Sequence, residues 1–115
     1  MNTPVRSNIF HALSAPTRRG IMEALSDNGS MSATDIGSSF KGSSRISSPA
    51  ISQHLNVLLG AHLVRVEKHG RNRIYTVNPD ALLDFESWLR RTRQEWEKRF
   101  DALEILLKDD LKDQH

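Results

Sequence analysis

Ser48, Ser52, Gln53 and Asn56 are the side chains of this 115-residue sequence whose types and spacing speak most directly of chemistry. All are uncharged, and each can both donate and accept hydrogen bonds. They lie in SSPAISQHLNVLL, residues 47–59, where Ile51, Leu55, Leu58 and Leu59 recur at i, i+4, i+7 and i+8. That spacing is one apolar face of a helix, which leaves the polar residues on another. A face turned only to water would normally carry Lys and Glu. Uncharged donors and acceptors suit the edges of base pairs in a DNA major groove instead, where Gln can pair bidentately with adenine and Ser can reach several bases. Ser47 and His54 join this base-contacting set, although His54 sits beside Leu55 and has the alternative of packing on the third helix. The plainer account of the whole cluster is a polar, solvated helix face.

A second group is cationic. Residues 63–68 alternate as a strand does, residues 69–72 (HGRN) are turn-formers, and residues 73–77 are rich in β-formers. This predicts a β-hairpin carrying Lys68, Arg71 and Arg73 near its tip. An arginine there can enter a narrow minor groove or hold a phosphate, or it can simply guard a sheet edge. Lys41 and Arg45, in the Gly/Ser-rich turn 41–46, are further candidates for phosphate contact, and Arg18 and Arg19 are weaker ones. The net charge is only +2, but residues 60–75 carry +3 and residues 101–115 carry −3. A basic middle segment suits a polyanionic partner.

The elements that must hold these groups are mostly helical. Ile9, Phe10 and Leu13 mark a short first helix, and Pro16 opens a second over about 17–26, ended by Asp27-Asn28-Gly29. Ser32, Asp35, Met31 and Ile36 predict the capped and stapled start of a short third helix that ends near Phe40. The fourth helix opens on Ser47 or Ser48 with Pro49 in its first turn. After the hairpin, a long helix is expected over about 81–108, with Leu82, Phe85, Leu89, Trp96, Phe100, Leu103 and Leu107 spaced by threes and fours and Thr92 in the one missing slot. At 1.5 Å per residue it spans roughly 40 Å, more than so small a domain can cover alone. A partner helix is therefore expected, most simply through a two-fold homodimer. The chain reads as one domain over 1–115, mainly α with a β-hairpin, its core about 7–108 and its tail 109–115 frayed.

The absences narrow the function. There is no cysteine, so disulfides and thiolate metal sites are out. The five histidines show no metal-ligand spacing, and there is no phosphate-binding glycine loop, nucleophile elbow or paired-carboxylate motif. Neither an enzyme nor a cofactor is expected. No apolar run approaches the ~20 residues that cross a bilayer, and MNTPVR lacks the blocks of a secretory signal. A cytoplasmic protein is expected.

Order and residues together resemble the ArsR-type winged helix-turn-helix repressors. The matching stretches are LSAPTRRGIMEAL, SSPAISQHLNVLLGAHLV and VRVEKHGRNRIYTV, and the resemblance runs from about residue 7 to residue 100. It implies a homodimer that binds double-stranded operator DNA at an imperfect palindrome and represses transcription. The helix 47–59 would enter the major groove, and the hairpin 65–77 would be the wing. The first and last helices would form the dimer interface, adding Ile9, Phe10 and Leu13 to Phe85, Leu89, Trp96, Phe100 and Leu103. Four features depart from the family pattern. The turn 41–46 is longer by about four residues; Ala15 stands where an aspartate is common, leaving Ser14 as a possible cap; His62 replaces a glycine; and the metal-sensing residues are missing. A metal- or small-molecule-responsive sensor of the same fold and a protein-interaction module are the competing readings.

Overall fold

The computed structural model describes residues 3–40 and 46–113, with side chains from residue 8 to residue 112 of these. Lys41 and Arg45 lie outside the described residues. In chain order the elements are α1 (Thr3–Leu13), α2 (Pro16–Asn28), β1 (Ser30–Ser32), α3 (Ala33–Ser38), α4 (Ser48–Gly60), β2 (Val64–His69), β3 (Asn72–Val77) and α5 (Pro79–Asp113). They divide into two compact units, Met1–Leu82 and Leu83–His115.

Local sequence explains most of the boundaries in the first unit. Ala15 is extended (φ −93°, ψ 130°), as a residue before proline must be, and Pro16 opens α2. Ser14 does not cap α2. Its hydroxyl donates to the His11 carbonyl at 2.6 Å and closes α1 instead. Gly29 ends α2 at φ +84°, its N–H donating to the Leu25 carbonyl. Ser32 caps α3 by accepting from the Asp35 N–H at 3.1 Å, as its position suggested. His62 takes φ +60° at the position where the family resemblance called for glycine, a conformation His adopts more readily than most residues.

The sheet has three strands in the order β1-β3-β2, all antiparallel. Strand β1 is the unexpected one. It is three residues long and exists through its pairing with β3, in which Met31 lies opposite Tyr75. The hairpin fixes the other pairing, with Val64 opposite Val77 and His69 opposite Asn72.

The core of this unit is built from Ile9, Ile21, Leu25, Ile36, Ile51, Leu55, Leu58 and Leu63, all essentially inaccessible to solvent. Helices α1, α2 and α4 pack pairwise around it. Ile9, expected at a subunit interface, is 0% exposed and belongs to the chain's own core. The same apolar spacing serves a core or an interface, and here α1 spends it on α2 and α4. Leu59, expected in the buried stripe of α4, is only half-buried.

Helix α5 starts two residues earlier than expected. The Asn78 side chain accepts from the Asp80 N–H at 3.2 Å and caps it. It also continues to Asp113 rather than fraying beyond 108. No glycine or proline follows Pro79, so nothing in the chain stops it. Its 35 residues span roughly 52 Å at 1.5 Å each. Exposed pairs Glu86–Arg90, Arg93–Glu97 and Glu104–Lys108 ride along it at i, i+4, each contributing a few tenths of a kcal/mol. Taken by itself, the second unit is this helix, with Leu89, Trp96, Phe100, Leu103 and Leu107 all exposed.

Candidate nucleic-acid interface

Helix α4 begins at a side-chain cap. The Ser47 hydroxyl accepts from the Ala50 N–H at 3.3 Å, and Pro49 sits in the first turn. Ser47, expected among the DNA contacts, is thus used to start the helix. Ser47→Ala is expected to cost about 1 kcal/mol of stability, read as a lowered thermal midpoint with the helical signal retained. Ile51, Leu55 and Leu58 turn α4 onto the core.

The opposite side carries the candidate reading surface. Ser48, Ser52, Gln53 and Asn56 are exposed, and their side chains make no hydrogen bond to any described residue. At about 100° per residue, Ser48, Ser52 and Asn56 form one ribbon along the helix, with Gln53 beside it. His54 falls away from this group, lying about 160° around the helix from Asn56 by the same rotation. It is half-buried, and its Nδ1 is 3.1 Å from Arg18 Nη1. The structure therefore places His54 against α2, neither on the reading ribbon nor on α3.

The wing is closed by the two-residue connection Gly70-Arg71. Gly70 has φ +64°, and Arg71 does not have a positive φ. This is the pattern of a type II′ turn, which needs glycine at its first position and matches the twist of the strands it joins. Lys68 and Arg73 are paired directly across β2 and β3, and Lys68, Arg71 and Arg73 are all exposed. Like charges opposite each other are destabilising, so this pair weakens the free hairpin and would be relieved by an anion.

Arg73 and Tyr75 are two residues apart and so share a face of β3. That face looks toward α4. Arg71, Arg73 and Tyr75 line an open notch of about 310 Å³ together with Ser52 and Asn56 of α4. The wing arginines and two of the α4 candidates thus converge, although 15–21 residues separate them in sequence. Ser32, Thr34 and Asn72 line the same notch and were not anticipated. Their only sequence signal was capping and turn propensity, which says nothing of what else a hydroxyl or amide faces.

Other basic side chains near these elements have partners within the chain. His69 Nε2 lies 3.3 Å from Glu67 Oε2, and Arg65 pairs with Asp80 at 2.9 Å, both exposed and worth little in energy. Arg18 and Arg19, considered for phosphate contact, turn back onto α1. Arg18 Nε donates to the Ala12 carbonyl at 2.6 Å and Nη2 to the His11 carbonyl at 3.1 Å, while Arg19 Nη1 donates to the Leu13 carbonyl at 2.7 Å. Carbonyls at a helix C-terminus have no partner within the helix, and cations are favoured there. Among the described residues no group of three or more His, Cys, Asp and Glu is placed to hold a metal ion, and no helix is long and apolar enough to cross a membrane.

The chain is similar to known proteins in sequence and in fold. A family model described as a helix-turn-helix domain matches residues 13–67, which span α2 to β2. The chain is 39% identical over 83 residues to the transcriptional repressor SdpR of Bacillus subtilis strain 168, covering 72% of this chain and 87% of that protein. It is 36% identical over 76 residues to an uncharacterized HTH-type transcriptional regulator of Methanocaldococcus jannaschii, covering 66% of this chain and 81% of that one. Among solved structures, an ArsR-like transcriptional regulator from Rhodococcus sp. RHA1 is similar with a TM-score of 0.79 and 28% identity, over 92% of this chain and 93% of that chain.

Proposed function

This chain belongs to the ArsR-type winged helix-turn-helix regulators, DNA-binding proteins that control transcription, and from that premise we propose that it is a homodimeric repressor reading duplex DNA with α4 and gripping its backbone with the wing. The observation that carries this reading is the convergence of the uncharged α4 ribbon and the wing arginines on one notch. Ser48, Ser52, Gln53 and Asn56 contact base edges in the major groove. Lys68, Arg71 and Arg73 contact phosphates, which supply much of the affinity and none of the sequence information. Lys41 and Arg45, which precede α4 in the sequence, add phosphate contacts. The name of the Bacillus subtilis relative supports repression as the direction of control.

Dimer formation is supported by the exposed apolar stripe of α5, where Leu89, Trp96, Phe100 and Leu103 recur at helical spacing. Patches of this kind on a soluble protein commonly mark an interface. Leu13, half-buried on α1, Phe10 and Phe85 complete the proposed contact. A two-fold dimer presents two copies of α4, so the operator is an imperfect palindrome with half-sites about one helical turn apart. A cytoplasmic location is part of this reading.

Selection of bound duplexes from random-sequence DNA, followed by footprinting, tests this reading. A symmetric protected site is expected. Failure to enrich any duplex sequence, with binding that falls only as salt rises, would leave a non-specific polyanion binder.

A further inference from the structure

Arg18 makes contacts on two different helices. Its guanidinium donates to the His11 and Ala12 carbonyls of α1 and meets His54 Nδ1 on α4 at 3.1 Å. A guanidinium has five N–H donors and no acceptor. The His54 Nδ1 must therefore offer its lone pair, and the single proton of the neutral imidazole must sit on Nε2. The three groups meet where α1, α2 and α4 pack pairwise, beside Ala12 and Leu55, both 0% exposed.

We propose that Arg18 is a positioning residue that fixes the rotation and height of α4 by tying His54, in its Nε2–H form, to the C-terminal end of α1. The proposal rests on the reading of α4 as the DNA-contacting helix. His54 is next to Gln53 and two residues from Ser52 and Asn56, so a shift at His54 is carried directly to the reading ribbon. Contacts of this kind tolerate displacements of only about 0.5 Å before they weaken. A lysine cannot replace the arginine, because an ammonium is a point donor and cannot span two carbonyls and an imidazole in a fixed fork. Arg18 thereby shapes DNA recognition without touching DNA.

The test compares Arg18→Met, Arg18→Lys, His54→Asn, His54→Leu and the double variant Arg18→Met/His54→Leu, each as the full chain, by titration with the selected duplex across a salt series and by thermal unfolding. His54→Asn keeps an acceptor near the Nδ1 position. Arg18→Met, Arg18→Lys and His54→Leu are expected to lose about 10-fold in affinity, with the slope of log affinity against log salt unchanged, because every phosphate partner stays in place. His54→Asn should bind within about 2-fold of the parent. The double variant should lose about 10-fold rather than about 100-fold, since either change alone already cuts the link between α4 and α1. Imidazole ¹⁵N spectra of the parent should show His54 protonated at Nε2 alone, and this signature should be lost in Arg18→Met.

Parental affinity in Arg18→Lys together with a salt slope shallower by about 0.9 in Arg18→Met would make Arg18 a phosphate contact and overturn the proposal. An Nδ1–H signature for His54 would overturn it independently. If Arg18→Met fails to fold, the His54→Asn and His54→Leu pair with the ¹⁵N signature decides the matter. Failure of the underlying reading looks different: the ¹⁵N signature would stand while Ser52→Ala and Gln53→Ala left the selected sequence unaltered, and the role of Arg18 in DNA recognition would fall with it.

Discussion

With Trp96 and Leu103 both changed to glutamate, the protein is expected to sediment as a single chain and to lose on the order of 100- to 10,000-fold in affinity for a duplex carrying two half-sites. That is the range by which two linked modules exceed one module. Trp96 and Leu103 are each 50% exposed on α5, in a stripe that also holds Leu89, Phe100 and Leu107. Removing such residues from water in a dimer is worth roughly 25 cal/mol per Å² of apolar surface. Glutamates in their place bring two like charges from each subunit into a desolvated contact. Binding to a single half-site should be unchanged, because one α4 and one wing suffice for it. Sedimentation with titrations against one- and two-half-site duplexes checks this. A double variant that remains a dimer would move the interface elsewhere on the chain, and an equal loss on both duplexes would mean that the substitutions damaged the fold.

The second large effect concerns the wing. Arg71→Ala with Arg73→Ala is expected to reduce affinity by on the order of 100- to 10,000-fold at moderate salt, since each charge-assisted hydrogen bond is worth roughly 1.5–3 kcal/mol. The slope of log affinity against log salt should become shallower by about 1.8, or 0.9 for each phosphate no longer neutralised. The sequence preference should persist, because phosphate contacts carry none. The free protein should be no less stable, and slightly more so, because Arg73 lies opposite Lys68 in the hairpin and the change removes one of two facing cations. Titrations against specific and scrambled duplexes across a salt series separate these outcomes. A variant with an unchanged salt slope would take both arginines off the backbone.

Much of this architecture is legible in the sequence wherever a local rule governs. Ser32, Ser47, Pro16, Gly29 and Gly70 mark element ends through capping, a fixed φ or a positive φ, and each acts at the position its neighbours predict. What escapes depends on contacts distant in the chain. Strand β1 is three residues whose only reason to extend is β3, more than forty residues later. Arg18 and Arg19 look like surface cations until the carbonyls they meet are known. Ile9 carries the same apolar pattern whether it faces a core or a partner, and pattern alone does not divide the two.

The candidate site divides along the same line. The uncharged face of α4 follows from its helical period, and the cationic tip follows from the hairpin's turn chemistry. Their convergence on one notch follows from packing and could not be read from spacing. His54 is instructive in another way, because a 100° rotation per residue already sets it apart from Ser52 and Asn56. Grouping it with them follows adjacency in sequence rather than position on the helix. The far end of α5 is placed too early when a chain terminus is taken to fray, whereas the absence of any glycine or proline lets the helix run on to Asp113.

Recognition depends on α4 meeting base edges, and parallel selection of bound duplexes by the parent protein and by Gln53→Ala checks this. Both should enrich a symmetric site with the same half-site spacing, and the variant should lose preference at one base pair in each half, at a cost of about 1–3 kcal/mol for the parent's favoured base. Identical enriched sequences from the two proteins, position by position, would contradict the claim that this face of α4 reads DNA.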